Sequence, residues 1–485
     1  MEEMVKSKKR ISLAIIYVFL LAIAFGITSY SSTLVHTTFC SAYDSYAYRY
    51  MGMLMAKGGI PYIDAFDNKG PVLYLIEYFG YVINREYGIY LLEMAFVYAF
   101  LILQFKICSK FLDSFRALIC TLLSVSILSF TFVGNMCEEY SLFFISVGMY
   151  VFIEYFVFHR TSRFLLIVSG FSFGCVLLIR PNMVVMWGVL CVAVIINEII
   201  SNYKIPIGYM ISFVLGLLII LIPILIWLIT NGALVECYKD YILSNFNYIN
   251  HDNSVVKTID VFWNYFFSLG TPWYIFILLA LMALETREKA NILFNISYII
   301  CVLLTVCSLS LKGVLFLNYA MIISPLLPYP IAALVKFLHD KNIKKIDAVS
   351  MILCFLCSIT LWIFMINNII CFAKAYLNGN PYQSDDQKVL ELIESNSSPD
   401  DRILVLGYKC FYYVESDRLC SSIFYYQLND NETYPDGPDA VLDDINDSLP
   451  RLIIVEGGVD WEKLFRYYDR YQRIEGYPGI WRLIE

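Results

Sequence analysis

The sequence predicts an α-helical polytopic membrane protein with a small α/β domain at its C-terminus. Three observations predict it. The 485 residues are 59% hydrophobic and only 16% charged, far too apolar for a soluble chain of this length. Apolar runs of about 20 residues, each long enough to cross roughly 30 Å of hydrocarbon, recur along residues 11–370. Basic residues gather in alternate connections, and beyond residue 370 the composition changes to short strand-like runs between polar segments. The net charge of −7 divides between two sides of a bilayer and excludes no partner by itself.

Taken in order, Lys6, Lys8, Lys9 and Arg10 precede the apolar run 11–30. The run is long and lacks a small-residue cleavage site, so it reads as an uncleaved first helix rather than a signal peptide. Further spans are expected near 87–108, 116–134, 138–158, 164–180, 183–200, 206–230, 262–284, 291–311, 315–337 and 347–370, eleven in all. With the N-terminus inside, the inner loops collect Lys106, Lys110, Arg116, Arg160, Arg163, Lys204, Arg287, Lys289 and the lysines of 336–345. The outer loops hold fewer, as the positive-inside rule requires. An odd number of spans then places the C-terminal segment outside the plasma membrane. The expected organisation is a transmembrane domain over 1–370, with a large first outer loop at 31–86, and an extracytoplasmic α/β domain over 371–485. Inside that loop, residues 43–58 and 70–83 suit helices lying in the bilayer interface.

In the tail, 385–396 and 440–447 have helical spacing, whereas RILVLG (402–407), RLIIVEG (451–457) and IWRLIE (480–485) read as strands. Alternating helices and short apolar strands suggest a small α/β fold. Most of the 14 cysteines sit inside apolar runs, where they behave as small hydrophobes; Cys410 and Cys420 are a candidate disulfide. N-x-S/T sequons at Asn396, Asn431 and Asn446 are as readily chance as glycosylation sites. No Cys/His spacing indicates a divalent metal, and no cofactor is implied.

On this threading, polar residues interrupt the apolar sequence on the outer side. The stretch PYIDAFDNKGP (61–71) carries Asp64, Asp67 and Lys69, and DSYAYRY (44–50) upstream carries Asp44 and Arg49. A GNMCEE break holds Asn135, Glu138 and Glu139, an RPN break holds Arg180 and Asn182, Lys312 follows the ninth span, and Asn318 and Tyr319 open the tenth. Each has a plain structural reading: Asp44 as a helix cap, Glu138 as a carboxylate favoured by the helix dipole, a lysine reaching the interface. Several such groups converging on one face mark a function more often than one alone does. Lysine and arginine at a membrane surface suit a lipid phosphate, and a nearby carboxylate suits deprotonation of an acceptor hydroxyl. No P-loop and no GxGxxG following a strand occurs, so neither cytosolic nucleotides nor nucleic acid are indicated. A transporter or flippase of a lipid-linked sugar is the alternative, but it would favour charges deep in several spans and repeated halves; here the midspan charges are sparse and no halves repeat.

Asp44, the tyrosines after it and the segment PYIDAFDNKGPVLY resemble the first outer loop of the C-type integral membrane glycosyltransferases. The likeness is to bacterial relatives of protein O-mannosyltransferases and aminoarabinose transferases (glycosyltransferase family 39). Pro61, Tyr62, Asp64, Phe66, Asp67, Lys69 and Pro71 fit that family's pattern. GNMCEE and LIRPN are similar to its later polar breaks. FLNYAMIISPLLP (316–328) resembles its HY helix start, with Asn318 in place of the usual histidine. The resemblance implies sugar transfer, with inversion, from a polyprenyl-phosphate donor to a glycan, lipid or protein acceptor at the outer face. It further implies Asp44 as the base; Glu138 and Glu139, the acidic pair of the GNMCEE break, are the other catalytic candidates. The resemblance places Lys69, with Arg49, Arg180 and Tyr319, around the donor phosphate, and Asp64, Asp67, Asn182 and Lys312 from the same polar breaks are further donor-site candidates.

Overall fold

The computed structural model describes residues 2–35, 43–245, 255–267, 292–311, 313–340, 351–352, 354–378, 384–426, 448–456, 468–477 and 479–484. The chain forms two compact units. One comprises Met1–Tyr30, Glu93–Pro223 and Asn253–Ala373, and the other Ser31–Leu92, Ile224–Asp252 and Lys374–Glu485.

Among the described residues, six helices are long and apolar enough to cross a membrane: Gly88–Cys108, Ser114–Thr131, Val185–Asn202, Ile207–Thr230, Ile292–Ser310 and Cys354–Asn378. A seventh crossing is added if the bent pair Leu317–Leu326 and Pro328–Asp340 counts as one span. The chain is therefore a multi-pass membrane protein. Expected spans at 11–30, 138–158 and 164–180 correspond to the helices Glu2–Thr28, Cys137–Phe156 and Arg163–Leu177. The expected span at 315–337 is broken instead. A 3-10 segment, Leu317–Leu326, meets the helix Pro328–Asp340 at 47°. Pro325, Pro328 and Pro330 lie at the junction, each lacking the N–H that a continuous helix needs. The expected span at 262–284 begins within the helix Val255–Phe267, and its remainder lies outside the described residues.

The first unit packs by small residues and buried polar links, as expected where lipid supplies no hydrophobic drive between helices. A Cβ on Gly170 would come within 1.9 Å of the Phe213 carbonyl oxygen, and one on Gly216 within 1.9 Å of that of Ile167. These reciprocal glycines let Arg163–Leu177 and Ile207–Thr230 touch backbone to backbone. The first and last helices are tied by Asn368, whose amide donates to the Ile27 carbonyl at 2.9 Å. Gln104 donates to Ser146 at 2.7 Å, and the Trp187 indole to Ser169 at 3.1 Å.

The second unit holds the first outer loop together with the tail. Its helices Tyr43–Ala56 and Pro71–Ile83 cross so closely that a Cβ on Gly52 would lie 2.5 Å from the backbone of Glu77. Four short strands form the sheet: β1 (Ile403–Leu406), β2 (Leu452–Val455), β3 (Tyr471–Arg473) and β4 (Ile480–Leu483), in the order β1-β2-β4-β3. β1 and β2 are parallel and the other pairs antiparallel. The runs ILVL and LIIV are buried almost throughout, the pattern of strands covered on both faces. β3 and the short helix Phe411–Ser416 were not expected, and the expected helix at 440–447 lies outside the described residues. No disulfide joins Cys410 to Cys420: the Cys420 sulfur lies 3.2 Å from the Tyr413 hydroxyl, and Cys410 faces the Tyr425 carbonyl at 3.5 Å. The sequon Asn396 donates to the Leu392 carbonyl at 2.9 Å; Asn431 and Asn446 lie outside the described residues.

Asp417 clasps loop to tail. It stands in the left-handed conformation (φ 59°) that ends the helix Phe411–Ser416. Lys57 and Arg85 approach its carboxylate at 3.2 and 3.3 Å, and the Tyr81 hydroxyl donates to it at 2.9 Å. Burial and that carboxylate together push the Tyr81 hydroxyl up to about 12. The Phe66 amide donates to the Ile423 carbonyl at 2.8 Å, so backbone as well as side chains joins the loop to the tail.

Candidate functional site

Within the second unit, the charged island is a tightly folded loop. Tyr62 adopts a positive φ of 72°, uncommon for a bulky residue and a mark of local constraint. Its amide donates to the Ala65 carbonyl at 2.9 Å and its hydroxyl to the Lys69 carbonyl at 2.8 Å. Asp64 closes the same turn by accepting the Ile60 amide at 2.7 Å. The carbonyl of Asn68 accepts from Asn245 at 2.7 Å, just beyond the π-helical turn Tyr238–Leu243. Such turns recur at functional sites.

Asp67 is the buried carboxylate of this loop. The Asn68 amide donates to its Oδ1 at 2.7 Å. Burial raises its pKa; Lys69, Tyr74 and the Asn68 amide pull it back, and Asp44 pushes it further up. Lys69 bonds Asn68 Oδ1 at 2.5 Å, and its ammonium stands 5.9 Å from the centre of the Tyr48 ring. Asp44 lies in the first turn of the helix Tyr43–Ala56, where its Oδ1 accepts the Tyr426 hydroxyl at 2.9 Å. Asp44, Asp67 and Lys69 are therefore electrostatic neighbours. Arg49 is held differently: it is buried, pairs with Glu415 at 3.3 Å and lies 4.8 Å from the Tyr46 ring centre.

In the first unit a second cluster gathers. Gly134 and Asn135, both at positive φ (96° and 55°), turn the chain into the helix Cys137–Phe156. Arg180 follows the helix Arg163–Leu177, which Pro181 terminates. Its guanidinium forms an ion pair with Glu138 and stands 4.0 Å from the centre of the Tyr319 ring. Arg180 is 5% exposed and Glu138 1%. The hydroxyl of Tyr265 anchors the Phe316 carbonyl at 2.8 Å, holding the approach to Tyr319. Glu139 turns to Glu93 of the helix Gly88–Cys108, a second buried carboxyl. The Asn182 carbonyl accepts from Ser308 at 3.3 Å. Lys312 lies outside the described residues.

Each half of the expected set thus falls into a cluster: Asp44, Asp67 and Lys69 in one unit, Glu138, Arg180 and Tyr319 in the other. Asp64 and Arg49 serve turn and tail contacts. Tyr426, Tyr265 and Glu93 were not expected. Glu93 carried a signal, an acidic residue inside an apolar span; the two tyrosines carried none, in a chain with 38 of them. Among the described residues no group of three or more His, Cys, Asp or Glu is placed to hold a metal ion.

The structure is similar to the crystal structure of ArnT from Cupriavidus metallidurans bound to undecaprenyl phosphate. The match has a TM-score of 0.63 at 11% identity and covers 96% of this chain and 97% of that one. The Archaeoglobus fulgidus oligosaccharyltransferase is also similar. Its complex with zinc and sulfate gives a TM-score of 0.42 at 10% identity, and its form tethered to an acceptor peptide gives 0.45 at 10%. Each covers 91% of this chain and 68% of that one. The ArnT match shows an ArnT-like fold. No curated protein matches the sequence. The competence-induced Ccs4 N-terminal domain model matches residues 3–369, most of the chain, and the protein belongs to that family.

Proposed function

We propose that this protein transfers a sugar from a polyprenyl-phosphate donor to an acceptor hydroxyl at the outer face of the plasma membrane. The observation that carries the reading is the placing of Asp67 and Lys69 in one folded loop, with the Lys69 ammonium 5.9 Å from the ring of Tyr48 on the helix that carries Asp44, on a chain with the ArnT fold. In this reading Asp44 takes the proton of the acceptor hydroxyl. The hydroxyl oxygen attacks the anomeric carbon from the face opposite the phosphate, the bond from that carbon to the phosphate oxygen breaks, and polyprenyl phosphate leaves. A single displacement of this kind inverts the anomeric centre. Lys69 binds the donor phosphate as a compact point charge. The undecaprenyl phosphate in the ArnT structure supports a polyprenyl-linked donor here. The C-terminal segment lies on the outer side with the acceptor.

The test uses membranes carrying the full-length chain and a labelled polyprenyl-phosphate sugar. Transfer releases polyprenyl phosphate, whereas a flippase moves the lipid intact, which would overturn the reading. Asp44→Asn keeps volume and one acceptor oxygen but cannot act as a base. Donor binding is expected to survive while turnover falls roughly 10²–10⁴-fold. Near-normal turnover in Asp44→Asn, with collapse in the amide variant of Asp64, Asp67, Glu138 or Glu139, moves the base there.

A further inference from the structure

We infer that Tyr426, from the C-terminal segment, is a positioning residue for Asp44, an inference that rests on Asp44 being the base. The Tyr426 hydroxyl donates to Asp44 Oδ1 at 2.9 Å. A lone aspartate at a helix start rotates freely about two bonds. A donor fixed on one oxygen sets the carboxylate plane and leaves Oδ2 for the proton of the acceptor. A phenol is suited to this role because it donates one hydrogen bond and, being neutral, does not cancel the carboxylate charge.

The tyrosine is itself held. Its ring meets Tyr408 edge-on, with centroids 6.0 Å apart, and Tyr408 packs on Tyr43 at 6.3 Å. Next to it, Tyr425 stacks on Tyr50 at 4.3 Å and donates to the Ala47 carbonyl at 3.2 Å. The Cys420 amide donates to the Tyr50 hydroxyl at 3.0 Å. Residues 420–426 therefore lie along the helix that carries Asp44, fastened at both ends. Position 426 is outside the 3–369 segment that the family model matches, so the C-terminal segment adds a residue to the site that the matched domain does not contain.

The experiment is a double-mutant cycle in full-length protein, with labelled undecaprenyl-phosphate hexoses as probes and release of undecaprenyl phosphate as the readout. Tyr426→Phe is expected to lower turnover about 10- to 100-fold at unchanged donor KM, the scale on which small misplacements of a reacting group act. Added to Asp44→Asn it is expected to change nothing more, because the group it positions is gone. Tyr425→Phe removes a neighbouring contact between the same two segments and is expected to turn over normally. Equal losses in the Tyr425 and Tyr426 variants, or an additive loss on Asp44→Asn, assign Tyr426 to packing and overturn the inference. So does normal turnover in Tyr426→Phe where Asp44→Asn is inactive. Normal turnover in Asp44→Asn, or no release by the wild type from any probe, overturns the reading beneath it as well.

Discussion

Replacing Glu138 by glutamine removes the charge that faces Arg180 while keeping the side-chain volume and one acceptor oxygen. Both partners are at most 5% exposed, so the pair is deeply buried. Breaking such a pair from one side costs about 3–5 kcal/mol, because the remaining charge stays desolvated. The Tyr319 ring, 4.0 Å from the guanidinium, faces it in both proteins and so leaves the difference unchanged. The amide oxygen still accepts a hydrogen bond, worth about 1 kcal/mol. The expected net loss is about 2–4 kcal/mol, read as a lower unfolding midpoint of the detergent-solubilised protein. The double variant Glu138→Leu with Arg180→Met leaves no buried charge. It is expected to regain most of the stability. A Glu138→Gln protein as stable as wild type would refute the claim that this pair is a buried electrostatic unit. Full turnover in the double variant would show the pair to be structural only.

Lys69→Ala is expected to weaken donor binding more than acceptor binding, and Lys69→Arg to restore it only partly, since the fork differs in reach and geometry; equilibrium binding of a labelled donor separates the two. Asp67 has its pKa raised by burial, so between the unfolded and folded values the native state binds more protons and stability falls as pH rises. Asp67→Asn removes that penalty: its unfolding midpoint is expected to exceed wild type near neutral pH and to converge with it below about pH 4. A reporter active only outside the cytoplasm, fused after Glu485, is expected to be active. Activity of a cytoplasmic reporter in its place would reverse the proposed threading.

The sequence alone determined the class of the molecule and most of its helices, because runs of about 20 apolar residues have no stable home except a bilayer. It also marked the charged island, since Asp67 and Lys69 are expensive beside lipid and stand out against their neighbours. The strands ILVL and LIIV were legible for a related reason: a short apolar run between polar flanks is a buried strand. β3, YQR, has no such pattern and forms through pairing with β4. The break at Leu326–Pro328 was hidden because proline is common in membrane helices, and only the packing around it decides between a kink and a stop. Tertiary structure alone decided which polar residues meet. Arg180 is 42 positions from Glu138 and Tyr426 is 382 from Asp44, and contacts at such separations leave no local trace in composition or periodicity. Arg49 and Lys69 look alike as basic residues of one loop. The fold gives Arg49 a carboxylate from the tail, Glu415, and gathers Lys69 with Asp67 and Asp44, because long-range packing sets where each side chain finds its counter-charge.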